Sequence, residues 1–152
     1  MREVRRSALI AQSPQRMFAL INDIESYPQF LPWCTSAHVQ SRNEREIIAT
    51  IGVRRGPLNV TFTTRNELTA DRRVAMRLVS GPFKTLDGEW TLTPVALPGQ
   101  PGCRVDLLMR FAFGNRLTAM VFEPLFEETA ASLVDAFVAR ARTLAGPPPV
   151  PP

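Results

Sequence analysis

The sequence predicts one α+β domain in which an antiparallel sheet packs against a long C-terminal helix. Apolar and polar residues alternate along successive short segments up to about residue 113, and turn residues separate these segments at hairpin spacing. From Arg116 to Leu144 the apolar residues instead recur every three or four positions, as on one side of a helix. The 152 residues suit a single domain, and helices on one face of an antiparallel sheet are a standard α+β arrangement.

The first strand and two short helices are predicted from the N-terminal sequence. Residues 3–11 alternate loosely and indicate a strand. Ser13 and Pro14 begin a helix, because serine is a good N-cap and proline suits the first helical position. The connector from Tyr27 to Trp33 is rich in aromatic residues, and its two prolines exclude a long helix, so we expect a second helix of about one turn.

Six further strands are predicted at hairpin spacing. The residues Ala70-Asp71 and Gly81-Pro82 provide breaks, and residues 97–102 are expected to form a loop because they are rich in proline and glycine. The predicted strands cover residues 35–43, 46–54, 57–69, 72–80, 84–95 and 103–113.

The last helix is the strongest functional clue. Asn115 is its predicted N-cap, and the helix would be roughly 40 Å long, which is more than a small core needs. Pro124 is expected to kink it or to separate its first turns as a movable gate. A sheet curved around such a helix leaves a hollow for a ligand. We place the ligand-binding domain at residues 1–145 and predict a disordered proline-rich tail at 146–152.

The composition indicates a soluble protein with a basic surface. The net charge is +4 and 45% of the residues are hydrophobic, and no apolar run approaches the ~18 residues of a membrane span. Lys84 is the only lysine. The arginines are scattered, so both a solvated surface and a patch that binds RNA, ribosomes or anionic lipid remain open. We expect a cytoplasmic protein, with peripheral contact at the inner membrane as an alternative, and no DNA partner.

Catalytic and metal-binding patterns are missing from the sequence. His38 is the only histidine, and Cys34 and Cys103 are too isolated to predict a disulfide or a metal site. We therefore predict no catalytic residues, no metal and no cofactor, only a bound lipid or quinone as ligand. For the alternative of an enzyme, the candidate residues would be Arg65, Asn66, Glu67 and His38.

Apolar residues remain as the candidate site. Two apolar connectors, one at Tyr27–Trp33 and one after Gly81-Pro82, would form the lips of an apolar pocket. Strand alternation and connector position predict the ligand-binding residues Phe30, Leu31, Trp33, Phe62, Met76, Phe83, Trp90, Met109, Phe111, Val121, Leu125 and Phe137.

Several motifs resemble one known family. They are residues 13–18 (SPQRMF), 23–34 (DIESYPQFLPWC), 62–66 (FTTRN) and 81–84 (GPFK), followed by Phe111-x-Phe113. This pattern resembles the START-like (helix-grip, Bet v 1-like) superfamily, and within it the branch of the RatA and coenzyme Q-binding proteins, which carries the label polyketide cyclase/lipid transport. The resemblance extends to about Ala145.

The resemblance implies a seven-stranded antiparallel sheet that grips the C-terminal helix around an apolar tunnel. It also implies non-enzymatic binding or transport of a hydrophobic molecule, most simply ubiquinone or a related isoprenoid lipid, in support of respiration. The bacterial relatives imply an alternative, a toxin that binds the large ribosomal subunit and blocks subunit association. A polyketide aromatase/cyclase is a further alternative.

Overall fold

The computed structural model describes residues 1–145 and confirms the predicted α+β, helix-grip architecture. Within these residues seven strands form one antiparallel sheet in the order β1-β7-β6-β5-β4-β3-β2. The predicted tail at 146–152 lies outside the described residues. The strands are β1 (Arg2–Ile10), β2 (Cys34–Arg42), β3 (Glu46–Arg55), β4 (Leu58–Thr69), β5 (Arg73–Ser80), β6 (Phe83–Leu97) and β7 (Gln100–Phe113).

Short hairpins join the strands from β2 to β7, and β1 pairs with the outer edge of β7. The loop predicted at residues 97–102 is wrong, because the β6–β7 ladder continues to the pair Leu97 and Gln100. Only Pro98 and Gly99 form the turn. Gly99 has a φ of 74°, a conformation that glycine adopts without steric cost, so a two-residue turn closes the hairpin.

The connection from β1 to β2 contains two short helices, as predicted, but the second begins and ends earlier than the connector from Tyr27 to Trp33. Helix α1 (Pro14–Asn22) is capped by Ser13, whose hydroxyl accepts a hydrogen bond from the backbone N–H of Arg16 at 3.2 Å. A 3-10 helix at Ile24–Gln29 follows. Its Tyr27 hydroxyl donates to the Ile21 carbonyl of α1, so the aromatic connector is fixed against the preceding helix.

The C-terminal helix is bent at Ser132, and the predicted break at Pro124 is wrong. Helix α2 (Arg116–Ala131) passes through Pro124, and helix α3 (Leu133–Ala145) begins after Ser132. The missing N–H of Pro124 leaves only the carbonyl of Met120 without its helical donor, and Met120 is exposed to water. The helix is therefore continuous at Pro124, and the movable gate before Pro124 stays a prediction.

Two side chains next to the bend explain its position. The Thr129 hydroxyl donates to the Leu125 carbonyl at 2.9 Å, and the Ser132 hydroxyl donates to the Thr129 carbonyl at 2.7 Å. Such bonds from Ser and Thr to the preceding turn compete with the helical ladder and often bend a helix. The helix resumes at once, since Ala136 N–H donates to the Ser132 carbonyl at 3.1 Å.

Asn115 starts α2 as predicted. Its side-chain oxygen accepts hydrogen bonds from Leu117 N–H at 2.9 Å and from Thr118 N–H at 3.2 Å. We expect Asn115→Ala to lower the free energy of unfolding by ~1 kcal/mol, because two backbone donors lose their acceptor. Urea denaturation measures this, with Asn115→Ser as the control that retains a capping oxygen. An unchanged midpoint in the alanine variant would show that the cap adds nothing.

The two cysteines are buried in the core and free. Burial raises the pKa of both the Cys34 and the Cys103 thiol, and the thiolate is the reactive form. We expect iodoacetamide at pH 7 to leave both thiols unmodified in the folded protein and to alkylate both in urea, as read by intact mass. Rapid alkylation without denaturant would contradict this burial.

Candidate ligand-binding site

A cavity lies between the sheet and the bent C-terminal helix. The space open to the centres of water molecules is about 80 Å³, which is enough for several waters. Side chains from the sheet, the aromatic connector and both parts of the helix surround it. Six of the residues predicted from the sequence line this cavity: Trp33, Phe62, Met76, Trp90, Met109 and Phe137.

Strand alternation positions the sheet side of the cavity. On β6, Leu86, Gly88 and Trp90 point inward, and Gly88 leaves the space that a larger residue would fill. A Cβ atom at Gly88 would lie 2.9 Å from Met76 Cε and 3.1 Å from the Leu108 carbonyl oxygen. The missing side chain at this position therefore gives room both to Met76 and to the cavity.

The helix side consists of residues on both sides of the Ser132 bend. Phe126, Thr129 and Ala130 come from α2, and Leu133 and Phe137 come from α3. Their spacing of mostly three and four residues places them on one face of the helix. A change in the bend angle would therefore move the two halves of this wall relative to each other.

Phe137 joins the helix to the aromatic connector. Its ring lies 5.3 Å from Tyr27, 5.1 Å from Phe30 and 5.2 Å from Trp90, between ring centroids, in edge-to-face arrangements. Edge-to-face packing adds to the energy of burying the rings. Burial raises the pKa of the Tyr27 phenol far above its usual value, so this wall stays uncharged.

Six other predicted residues lie outside the cavity lining. Phe83, predicted as part of a lip of the pocket, is buried in the core, with its ring centroid 4.6 Å from Phe113 and 4.9 Å from Phe126. It begins β6, paired with Phe113, and the hairpin folds it into the core. Val121 is 51% exposed on α2. Phe30 and Leu125 are half-buried, and Leu31 and Phe111 are fully buried core residues.

Three polar residues of the cavity wall were missed as ligand-binding candidates: Thr64, Asn66 and Thr129. All three are buried. The signal for two of them is present in the sequence, because alternation along β4 places Thr64 and Asn66 on the same face as Phe62. The predicted ligand-binding residues were restricted to apolar side chains. The Thr64 hydroxyl donates to Asn66 Oδ1 at 2.9 Å.

The outer face of the sheet carries arginines that are paired with carboxylates. The pairs Arg65–Glu46 and Arg73–Glu89 have N···O distances of 2.7 and 2.9 Å. Beside Arg73, the pKa of the Glu89 carboxyl lies below its usual value. In each pair the carboxylate neutralises the positive charge of the arginine, so this part of the sheet attracts polyanions such as RNA only weakly.

The residues considered for an enzyme are not gathered in the cavity. His38, Arg65 and Glu67 are exposed, and of the four candidates only Asn66 lines the cavity. Within residues 1–145, no group of three or more His, Cys, Asp or Glu side chains is arranged to hold a metal ion. No helix in the same range is long and apolar enough to cross a membrane.

The fold, with its cavity between the sheet and the bent helix, defines a START-like, helix-grip protein. A START superfamily protein of Mycobacterium smegmatis has a similar structure, with a TM-score of 0.71 and 20% identity over 93% of this chain and 98% of that one. An aromatase/cyclase from Streptomyces sp. R1128 has a TM-score of 0.82 and 16% identity over 95% of this chain and 98% of that one. At these identities the likeness shows the fold alone.

The family is shown by the sequence. The model of the family described as polyketide cyclase / dehydrase and lipid transport matches residues 10–138, and the chain belongs to this family. The ribosome association toxin RatA of Escherichia coli K12 is 40% identical over 93% of this chain and 88% of the toxin. The mitochondrial coenzyme Q-binding protein COQ10 of Drosophila melanogaster is 27% identical over 93% of this chain and 59% of that protein.

Proposed function

We propose that this protein binds a hydrophobic small molecule in the cavity and carries it without chemical change, and that the ligand is ubiquinone or a related isoprenoid quinone. The observation that supports this most is the apolar cavity itself, which is lined by Trp33, Phe62, Trp90 and Phe137 and has the bent helix on one side. The name of the Drosophila relative, a coenzyme Q-binding protein, supports the choice of quinone.

Transfer of apolar area out of water would drive this binding, at roughly 25 cal/mol for each Å² buried. The space open to the centres of water molecules is about 80 Å³, which holds several waters. A quinone with an isoprenoid tail is larger than several waters, so the wall would move when such a ligand enters. The bend at Ser132 allows such a movement, because α2 and α3 can change their angle while each keeps its own hydrogen bonds.

Extraction of lipid from the purified protein, followed by mass spectrometry, tests this function. We expect an isoprenoid quinone to copurify, and we expect delipidated protein to take up ubiquinone from detergent. An unrelated soluble protein treated in the same way controls for carry-over. Protein that is free of lipid and also takes up no ubiquinone would contradict the proposal.

A quinone carrier must also meet the membrane that holds its ligand. The exposed apolar side chains of Leu117, Met120 and Val121 on α2 provide a surface for transient contact at the inner membrane, beside the positive charge of Arg116. Flotation with anionic vesicles tests this contact. Equal flotation of the wild type and a Leu117→Ser/Met120→Ser variant would contradict it.

Ribosome association is the second candidate function, and the 40% identity to the RatA toxin of E. coli over most of both chains favours it. The expected partner is the large ribosomal subunit, with loss of subunit association. Sucrose-gradient sedimentation with the protein in stoichiometric excess tests this. An unchanged profile of joined and free subunits would contradict it.

Enzymatic cyclisation is not proposed. Asn66 is a neutral amide, and the ionisable candidates His38 and Glu67 are on the exposed surface, so the acid–base groups considered for such a reaction do not reach a bound substrate. Turnover of a polyketide substrate, followed by its loss in an Asn66 variant, would overturn this assignment.

A further inference from the structure

We infer that Asn66, oriented by Thr64, is a specificity-determining residue that donates a hydrogen bond to a neutral carbonyl oxygen of the ligand. This inference rests on the proposed function and goes further by naming the chemical group that the cavity selects. It is based on one buried amide in the cavity wall, whose oxygen accepts a hydrogen bond while its NH₂ group has no protein acceptor within residues 1–145.

Asn66 occupies a central position in the sheet. It lies on β4, between Ile47 of β3 and Met76 of β5 in the register of the ladder. Its side chain points inward to the cavity and only 6% of the residue is exposed. A primary amide in such apolar surroundings is costly unless its polar atoms have partners.

The partners of the Asn66 amide are incomplete. Its Oδ1 accepts the Thr64 hydroxyl at 2.9 Å, and this bond orients the amide so that Nδ2 carries the two remaining donors. Within residues 1–145, Nδ2 donates to no protein acceptor, and Asn66 lines the cavity. The arrangement therefore presents N–H groups to whatever occupies the cavity.

The other polar and charged residues of the wall indicate which acceptor group a ligand would offer to Asn66. Thr129, also in the wall, commits its hydroxyl proton to the Leu125 carbonyl, so that proton is unavailable to a ligand. No arginine or lysine is among the lining residues of the described chain, and Asp87 points its side chain to the outer face, 3.9 Å from Arg110. A carboxylate ligand would thus be buried without a counter-charge. A neutral carbonyl, as in a quinone or ketone, fits the amide better than a fatty acid does.

A pair of matched ligands tests this assignment. The probes are a menaquinone with a short isoprenoid tail and the naphthalene hydrocarbon with the same substituents but no oxygens, both titrated against tryptophan fluorescence. We expect the wild-type protein to bind the quinone ~10-fold more tightly than the hydrocarbon. We expect Asn66→Leu to bind both with equal affinity, because it removes the donor and keeps a similar volume.

Asn59→Leu is the matched control, since Asn59 lies on the same strand but is exposed, and it should keep the wild-type preference. Thr64→Val retains the shape of the wall and removes the hydroxyl that orients the amide, so it should lose part of the preference. If circular dichroism shows that Asn66→Leu does not fold, the quinone preference of Thr64→Val tests the role of Asn66 instead.

The outcomes separate the inference from the function on which it rests. Wild-type protein that binds neither probe would contradict the proposed function. Wild-type protein that binds both probes equally, or an Asn66→Leu variant that folds and keeps the preference, would overturn the role of Asn66 and leave hydrophobic binding in place. A preference for the matching fatty acid over the quinone would also overturn it.

Discussion

Replacement of Ala130 by leucine is expected to weaken quinone binding at least tenfold while the protein stays folded. Ala130 lies on α2, is 1% exposed and lines the cavity. The added isopropyl group would project into the cavity, and overpacking of this kind typically costs ~1–3 kcal/mol of stability. Quenching of tryptophan fluorescence by added ubiquinone measures the affinity, because Trp33 and Trp90 both line the cavity.

Ala139→Leu is the control for this substitution. It makes the same chemical change on α3 at an exposed position, so ubiquinone should bind it as it binds the wild type. Full affinity in a folded Ala130→Leu variant would show that the ligand binds elsewhere. The same variant separates the two candidate functions, because an effect on ribosomal subunits that survives the loss of quinone binding would be independent of the cavity.

Replacement of Phe137 by alanine is expected to lower the free energy of unfolding by ~3–5 kcal/mol, the usual cost of a deleted core phenylalanine. Phe137 is 1% exposed, and its ring contacts Tyr27, Phe30 and Trp90. These rings attach α3 to the aromatic connector and to β6. Phe137 already lines the cavity, so removal of its ring would enlarge that cavity. The neighbouring side chains would have to move far to fill the larger space.

Urea denaturation followed by circular dichroism measures this loss, with Leu144→Ala as the control. Leu144 is on the same helix but 60% exposed, so its truncation should change stability by no more than ~0.5 kcal/mol. A loss below ~1 kcal/mol for Phe137→Ala would mean that α3 is held mainly by other contacts.

Much of the fold can be predicted from the sequence, because its signals are local. Along β4 and β7, apolar and polar residues alternate because successive side chains point to opposite faces of the sheet. Ser13 and Asn115 cap helices through hydrogen bonds to residues two or three positions away. Hairpin spacing then determines the order of neighbouring strands from β2 to β7. The pairing of β1 with β7 is between distant parts of the chain, and hairpin spacing does not predict it.

The site was less predictable, because it depends on distances between elements that are remote in sequence. Apolar residues such as Phe83 and Phe111 carry the same signal whether they fill the core or line a cavity. The cavity exists partly because Gly88 and Ala130 are small, and a small residue in a strand or a helix carries no sequence signal for a binding site. Pro124 was the conspicuous helix breaker, but hydrogen bonds made by Thr129 and Ser132 set the bend, and such bonds are visible only in the structure.

The bend at Ser132 also has a consequence for the rate of exchange. Since Ala130 and Leu133 lie on either side of it and both line the cavity, a wider angle between α2 and α3 would open a path for the ligand. Residence time would then depend on how often the helix opens while the ligand is bound. An encounter that pulls on α2 would shorten it for quinones of any tail length.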